Sequence, residues 1–142
     1  MRSEDVVISL EPRYAERILS GEKMYELRRR EMHLRAGTIV WLYAKRPVGA
    51  IVGYVTVLAV HHASPSALWS EVGHAAGVTR KEFRQYFAGS KKAFALELAA
   101  AVRLRKKIHL DEMRNVEPSF CPPQFFKRIS PDSMLLSFLT RH

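Results

Sequence analysis

The sequence has 142 residues, the length of one domain, and a hydrophobic fraction of 47%, which is ordinary for a globular protein. Its single cysteine, Cys121, excludes an intrachain disulfide, and the composition needs no metal to supply a core. Twenty-three lysine and arginine residues against 14 acidic residues leave a net charge of +9, which favours a polyanionic partner such as nucleic acid.

The first half of the chain is predicted to form four strands and one helix. The strands cover residues 5–10, 23–28, 36–45 and 50–62, and the helix covers residues 12–20. Pro12 suits the first turn of this helix, and Gly21 ends it. Gly53, inside the longest of these strands, suggests a bulge or a sharp bend, which barrel strands need in order to close.

The second half begins with two predicted helices. Ser64 or Ser66 caps the first, and Thr79 caps the second, where Glu82 completes a capping box. A long strand follows over residues 93–104, and the C-terminal third holds a short helix and two less regular segments. About six strands and three or four short helices predict one α+β domain over residues 1–142, a small mixed β-barrel with helices packed outside.

Targeting and cofactor signals are missing from the sequence. The N-terminus lacks the apolar core of a signal peptide, and the longest apolar run, VGAIVGYVTVLAV, is too short and too glycine-broken to span a bilayer. The histidines and the cysteine show no metal-ligand spacing, and no glycine-rich phosphate loop is present. We therefore expect a cytoplasmic protein with no metal, no cofactor and no membrane partner.

Residues 21–28, GEKMYELR, resemble the G-x-K-x-x-E-x-R signature of the ASCH domain family, a group of PUA-like β-barrels. The similarity extends over about residues 5–130, through the segments ISLEPRYAERIL, GTIVWLYAKRPVGAIVGYVTV, VTRKEFRQYFAGSKKAFALEL and PPQFFKRIS. The resemblance implies a β-barrel with a cleft beside the motif that binds RNA or a modified nucleotide.

The same resemblance implies two candidate activities. One ASCH subgroup removes the acetyl group of N4-acetylcytidine with a lysine, a threonine and a later glutamate, and these positions fall on Lys23, Glu26 and Glu82. Glu26 thus stands where that subgroup has threonine, and a carboxylate cannot replace a hydroxyl nucleophile without changing the reaction. Ribonuclease activity also occurs in the family. If the protein is an amidohydrolase or a ribonuclease, these three residues are the catalytic candidates.

Charged residues of the motif and its neighbouring segments are the candidate contacts to nucleic acid. Glu26 and Arg28, two residues apart on a strand, share a face, where they form a structural ion pair, a ligand-binding pair or both. We expect Lys23 to bind rather than to catalyse, because Glu26 opposes the lowered pKa that a catalytic lysine needs. The nucleic-acid-binding candidates are Lys23, Glu26, Arg28, Arg29, Tyr43, Lys45, Lys91 and Lys92.

Some of these positions keep two interpretations. Tyr43 either offers a ring for base stacking in the cleft or fills the core, whereas we expect Trp41 in the core. Glu82 is either a capping residue or a cleft acid, and Gln124 and Ser130 are further candidates for ligand contact.

Three functions compete on this basis. The leading hypothesis is an RNA-binding or nucleotide-binding protein, for which DNA stays open as a partner. The second is a hydrolase of a modified nucleoside or of RNA, and the third is a protein-interaction module whose basic surface binds an acidic partner. The sequence does not determine the oligomeric state.

Overall fold

A computed structural model describes residues 4–141 of the chain. Within this range it contains six strands, five α-helices and one short 3-10 helix. In chain order the elements are β1 (Asp5–Leu10), α1 (Pro12–Leu19), β2 (Tyr25–Arg28), β3 (Ile39–Ala44), β4 (Ala50–Ala63), α2 (Pro65–Val72), the 3-10 helix (Gly73–Ala75), α3 (Arg80–Tyr86), β5 (Ala93–His109), α4 (Leu110–Val116), β6 (Phe126–Ile129) and α5 (Met134–Thr140). No helix in this range is both long and apolar enough to cross a membrane.

All six strands form one sheet in the order β2-β5-β4-β3-β1-β6. Strands β1 and β3 pair in parallel, and the other neighbours pair antiparallel. The two longest strands, β4 and β5, have 14 and 17 residues, and their pairing register shifts at three points. Such irregularities increase strand bending and twist, so the sheet curls. The curled sheet with five short α-helices packed against it confirms the predicted small α+β barrel.

Gly53 marks one of these register shifts, as predicted, because the pairing of β4 with β5 changes between Ile51 and Gly53. A side chain at Gly53 would overlap the carbonyl oxygen of Val102 and the side chain of Leu19. Glycine is therefore required here by the close approach of β5 and α1 to the β4 backbone.

Several predicted strand boundaries differ from the structure, and β3 covers Ile39–Ala44 rather than residues 36–45. β2 begins at Tyr25 rather than at residue 23, because the N–H groups of Lys23 and Met24 bond to the carbonyls of Arg17 and Ala75 instead of joining the sheet. β5 continues past residue 104 to His109, and its last residues pair with β4.

Three clusters of buried apolar side chains fill the fold. The first packs α1 on one face of the sheet, and the second packs α4 and α5 on the other face. The third packs α2 and α3 beside β2 and the start of β5. The division follows strand parity: Val40 and Leu42 of β3 belong to the first cluster, and Trp41 and Tyr43 belong to the second.

The second cluster decides between the two interpretations of Tyr43 and corrects its place among the nucleic-acid-binding candidates. Trp41 and Tyr43 are only 3% and 4% exposed, and both pack with side chains of α4 and α5. The indole N–H of Trp41 also donates to the Asp5 carboxylate over 2.9 Å. The core position predicted for Trp41 is therefore confirmed, and Tyr43 shares it because the C-terminal helices cover that face of β3.

Candidate functional site

A cleft of about 300 Å³ opens between α1, β2 and α3, beside the ends of β1 and β3. It contains five of the sequence-predicted residues and Gln124. The residues that line it are Ser9, Leu10, Glu11, Tyr14, Lys23, Glu26, Leu27, Arg28, Lys45, Val78, Glu82, Phe83, Tyr86 and Gln124. A volume of this size lies at the lower end of the range for small-molecule sites.

Local backbone structure directs the motif side chains into this cleft. Gly21 has a φ of 87°, a left-handed conformation that suits glycine at the end of α1. The chain then turns so that Lys23 bonds to the last turns of α1, and β2 begins two residues later. Glu26 and Arg28 alternate with Leu27 on β2 and are 5% and 8% exposed. The motif spacing therefore brings three charged side chains into one buried cluster.

The buried cluster of Lys23, Glu26 and Arg28 holds two cations and one carboxylate. Nη2 of Arg28 lies 2.8 Å from Oε2 of Glu26, and Nζ of Lys23 lies 3.9 Å from Oε1 of the same carboxylate. Lys23 also donates to the Ala76 carbonyl over 2.6 Å, and Nη1 of Arg28 donates to the Phe125 carbonyl over 3.3 Å. The ion pair expected between Glu26 and Arg28 is thus present, and it leaves the cluster with one excess positive charge.

Burial lowers the pKa of Lys23, and the nearby charges of Arg17 and Arg28 lower it further. Glu26 and Glu82 raise the same pKa, but their effect is smaller than the cost of removing the ammonium from water. Glu26 thus opposes the lowered pKa of Lys23, as expected, but the burial of the ammonium is the larger effect.

The Lys23→Met variant tests this lowered pKa. A lysine whose folded-state pKa lies below its unfolded value binds fewer protons when folded, so its contribution to stability rises as the pH climbs from the folded-state value to the ordinary 10.5. We therefore expect wild-type protein to gain free energy of unfolding relative to Lys23→Met over that alkaline interval. Urea titrations of both proteins at several pH values measure the difference, in which the shared tyrosines cancel. A pH-independent difference would contradict the lowered pKa.

The cleft also holds polar atoms without hydrogen-bond partners. Among the described residues, four buried side-chain polar atoms lack one, and three of these are Oγ of Ser9 and Nε and Nη2 of Arg28. The 2.8 Å contact of Nη2 with Glu26 is an ion pair in which no N–H points at the oxygen. Each unsatisfied buried group costs about 1–3 kcal/mol. Two residues that line the cleft, Ser9 and Arg28, therefore carry buried polar atoms whose hydrogen-bonding capacity is unused.

Glu82 both caps α3 and lines the cleft, so the capping residue and the cleft acid are the same side chain. Its Oε1 accepts the backbone N–H of Thr79 over 2.8 Å, which confirms the predicted capping box. Its Oε2 accepts a hydrogen bond from the Tyr14 hydroxyl over 3.3 Å and pairs with Arg13 at 3.2 Å. The backbone hydrogen bond from Thr79 is the main cause that lowers the pKa of Glu82, so this carboxylate stays ionised.

Two aromatic walls of the cleft were not identified from the sequence. Tyr14 on α1 is half-buried, and the ammonium of Lys23 lies 5.4 Å from its ring centre. Tyr86 on α3 is 40% exposed, and its hydroxyl donates to the Leu27 carbonyl. The i, i+4 spacing of Glu82 and Tyr86 was the available signal for Tyr86, because such residues share a helix face. No pattern in the sequence indicated that Tyr14 lines the cleft.

The remaining predicted contacts lie outside the cleft. Arg29 is exposed and donates to Oγ of Ser90 over 3.1 Å, while Lys91 and Lys92 are exposed in the segment before β5. Ser130 is exposed and accepts the Asp132 N–H over 3.4 Å. The cleft itself is therefore formed by the motif, α1 and α3, and the other cations lie on the surface around it.

The curled sheet, with its buried motif cluster, is the arrangement of a PUA-like barrel. The sequence matches the ASCH domain over residues 8–107. It is 36% identical over 121 residues to an ASCH domain-containing ribonuclease of Zymomonas mobilis, a match that covers 85% of this chain and 81% of that relative. The chain therefore belongs to the ASCH domain family, which confirms the resemblance seen in the motif.

Solved structures agree with this assignment. The crystal structure of ASCH from Zymomonas mobilis has a TM-score of 0.90 at 31% identity, with 96% of this chain and 94% of that chain covered. A single-residue variant of the same protein gives a TM-score of 0.92 at 30% identity, with 97% of both chains covered. The fold is thus shared over nearly the whole length of both proteins.

Proposed function

We propose that the cleft binds one nucleotide of single-stranded RNA. The observation that carries this proposal is the pair of buried N–H donors on Arg28 that lack hydrogen-bond partners at a cleft of about 300 Å³. The Nε and Nη2 edge of a guanidinium suits the two oxygens of a phosphate, which it binds in bidentate fashion. A bound phosphate would satisfy both donors and would balance the excess positive charge of the Lys23–Glu26–Arg28 cluster.

The walls of the cleft suit the rest of a nucleotide. Tyr14 and Tyr86 provide aromatic surface against which a base stacks, and Gln124 at the rim carries an amide that donates to and accepts from a base edge. Lys45, also at the rim, is exposed and adds a charge for a neighbouring phosphate. A cleft this narrow admits a splayed nucleotide and excludes a duplex, which favours single strands.

RNA is preferred over other anions for two reasons. The net charge of +9 provides the long-range attraction that a polyanion needs. The Zymomonas mobilis relative, 36% identical over most of both chains, is named a ribonuclease, which makes RNA the polymer with a precedent in the family.

Cleavage of RNA in the same cleft is the second candidate, and the lowered pKa of Lys23 favours it. A lysine with a reduced pKa is a more effective general base than an ordinary one, and Glu26 lies 3.9 Å away as its acidic neighbour. Both Glu26 oxygens already contact cations, and Glu26 provides no hydroxyl where the deacetylating subgroup has one. The arrangement thus supports general-base chemistry by Lys23 on RNA better than nucleophilic deacetylation.

One assay separates these candidates. We expect end-labelled single-stranded RNA to bind more weakly as salt is added. The logarithm of the binding constant should fall linearly with the logarithm of the salt concentration, with a slope of about −0.7 per neutralised phosphate. Denaturing gels of the same mixtures report cleavage, which would be absent from Lys23→Met if Lys23 is the base. A salt-independent affinity, or equal binding of duplex and single strand, would contradict the proposed binding mode.

A further inference from the structure

A second concavity, of about 370 Å³, lies between α2 and α3. Its lining includes three aromatic rings, Trp69, Phe83 and Phe87, and two guanidinium groups, Arg80 and Arg84. Phe83 borders both this concavity and the cleft, so the two sites are separated by one helix. We call this second site the α2–α3 pocket.

Trp69 forms a fixed aromatic surface in the α2–α3 pocket. Its ring meets that of Phe83 edge to face with centroids 5.0 Å apart, and it packs so closely on Gly73 that any side chain there would overlap the indole. The guanidinium of Arg80 lies 5.9 Å from the ring centre. Trp69 is half-buried, so part of its ring stays accessible to solvent. A supported, accessible indole beside arginines is the usual platform for an unpaired base.

The charge around the α2–α3 pocket is uniformly positive. Neither the pocket nor the adjoining depression, which Lys81 and Gln85 also line, contains an acidic residue. Arg80, Lys81 and Arg84 form no ion pair with any of the described carboxylates in residues 4–141. This differs from the α1 side of the barrel, where Arg103 is paired with Glu16 through two hydrogen bonds.

The positive surface also runs from the α2–α3 pocket towards the end of the motif strand. The depression beside α3 reaches Ala88, and Arg29, directly after the cleft residue Arg28, donates to the Ala88 carbonyl. Lys91 and Lys92 follow three and four residues after Ala88. A polyanion lying on α3 therefore meets cations both at the pocket and near the end of β2.

We infer that the α2–α3 pocket binds a second unpaired base of the strand whose first nucleotide occupies the cleft. Trp69 stacks on the base, and Arg80, Lys81 and Arg84 contact the flanking phosphates. This inference rests on the proposed function and narrows it, because the ligand is then a single-stranded oligonucleotide that crosses α3 rather than a free nucleoside or nucleotide.

Arg84→Glu tests the inference, with Arg105→Glu as its matched control. Both arginines are exposed, so both variants keep the core, and both change the net charge equally. We expect Arg84→Glu to weaken binding of a single-stranded hexanucleotide on the order of tenfold while leaving binding of a dinucleotide unchanged. Arg105→Glu is expected to have a much smaller effect on the hexanucleotide. Equal losses of hexanucleotide affinity in the two variants would indicate nonspecific electrostatic attraction and would contradict binding in the α2–α3 pocket.

Tryptophan fluorescence provides an independent readout. Of the two tryptophans, Trp41 is buried and bonded to Asp5, so only Trp69 can contact RNA. The hexanucleotide should quench wild-type emission, the dinucleotide should not, and the quenching should vanish in Trp69→Phe. Quenching that persists in Trp69→Phe overturns the inference. If the hexanucleotide binds, but Arg84→Glu and Trp69→Phe behave as wild type, binding in the α2–α3 pocket is contradicted while binding in the cleft is not. If neither oligonucleotide binds, the proposed function fails as well.

Discussion

Replacing Glu26 with alanine should lower the free energy of unfolding by about 3–5 kcal/mol, because it leaves Lys23 and Arg28 buried without a counter-charge. The carboxylate contacts both cations, and the three side chains are between 3% and 9% exposed. Water therefore cannot replace the lost ion pairs without opening the cleft. Urea unfolding at neutral pH measures the change.

Glu16→Ala is the matched control for this experiment. Glu16 forms two hydrogen bonds to Arg103, at 2.7 and 2.8 Å, but the two side chains are 60% and 52% exposed. Exposed pairs contribute roughly 0–1 kcal/mol, since solvent screens them. Adding Lys23→Met to Glu26→Ala should recover part of the loss, because one buried charge is removed. Equal, small losses for Glu26 and Glu16 would mean that the cleft cluster is well solvated.

Arg28→Lys should weaken binding of single-stranded RNA by roughly ten- to a hundredfold, which corresponds to about 1.4–2.8 kcal/mol. Lysine keeps the positive charge beside Glu26, so the fold should be retained, but it lacks the two parallel N–H groups that suit a phosphate. Fluorescence anisotropy with a labelled oligonucleotide at fixed salt measures the affinity.

Arg29→Lys controls for the loss of a guanidinium next to the cleft. Arg29 is exposed on the surface, where a phosphate contact depends mainly on charge, so we expect a change of no more than about twofold. An unchanged RNA affinity of Arg28→Lys would mean that Arg28 does not contact the RNA. The proposed function would then lose its main support.

Local sequence patterns determined several features without any tertiary information. The G-x-K-x-x-E-x-R spacing placed Glu26 and Arg28 on one strand face, and the structure pairs them at 2.8 Å. The TRKE sequence specified the capping box of α3, and Gly53 marked a register shift in β4. These predictions succeeded because strand parity, capping and glycine conformation depend on residues close together in the chain.

Tertiary structure alone decided which of these faces lines the cleft. Parity showed that Trp41 and Tyr43 share a side of β3, but α4 and α5, far along the chain, cover that side and make Tyr43 core. Tyr14 and Tyr86 provide the aromatic walls instead, because α1 and α3 approach each other across β2. Folding also brings together the segments that bury Lys23, hold the unpaired donors of Arg28 and form the α2–α3 pocket. Sequence periodicity carries no information about which segments come together.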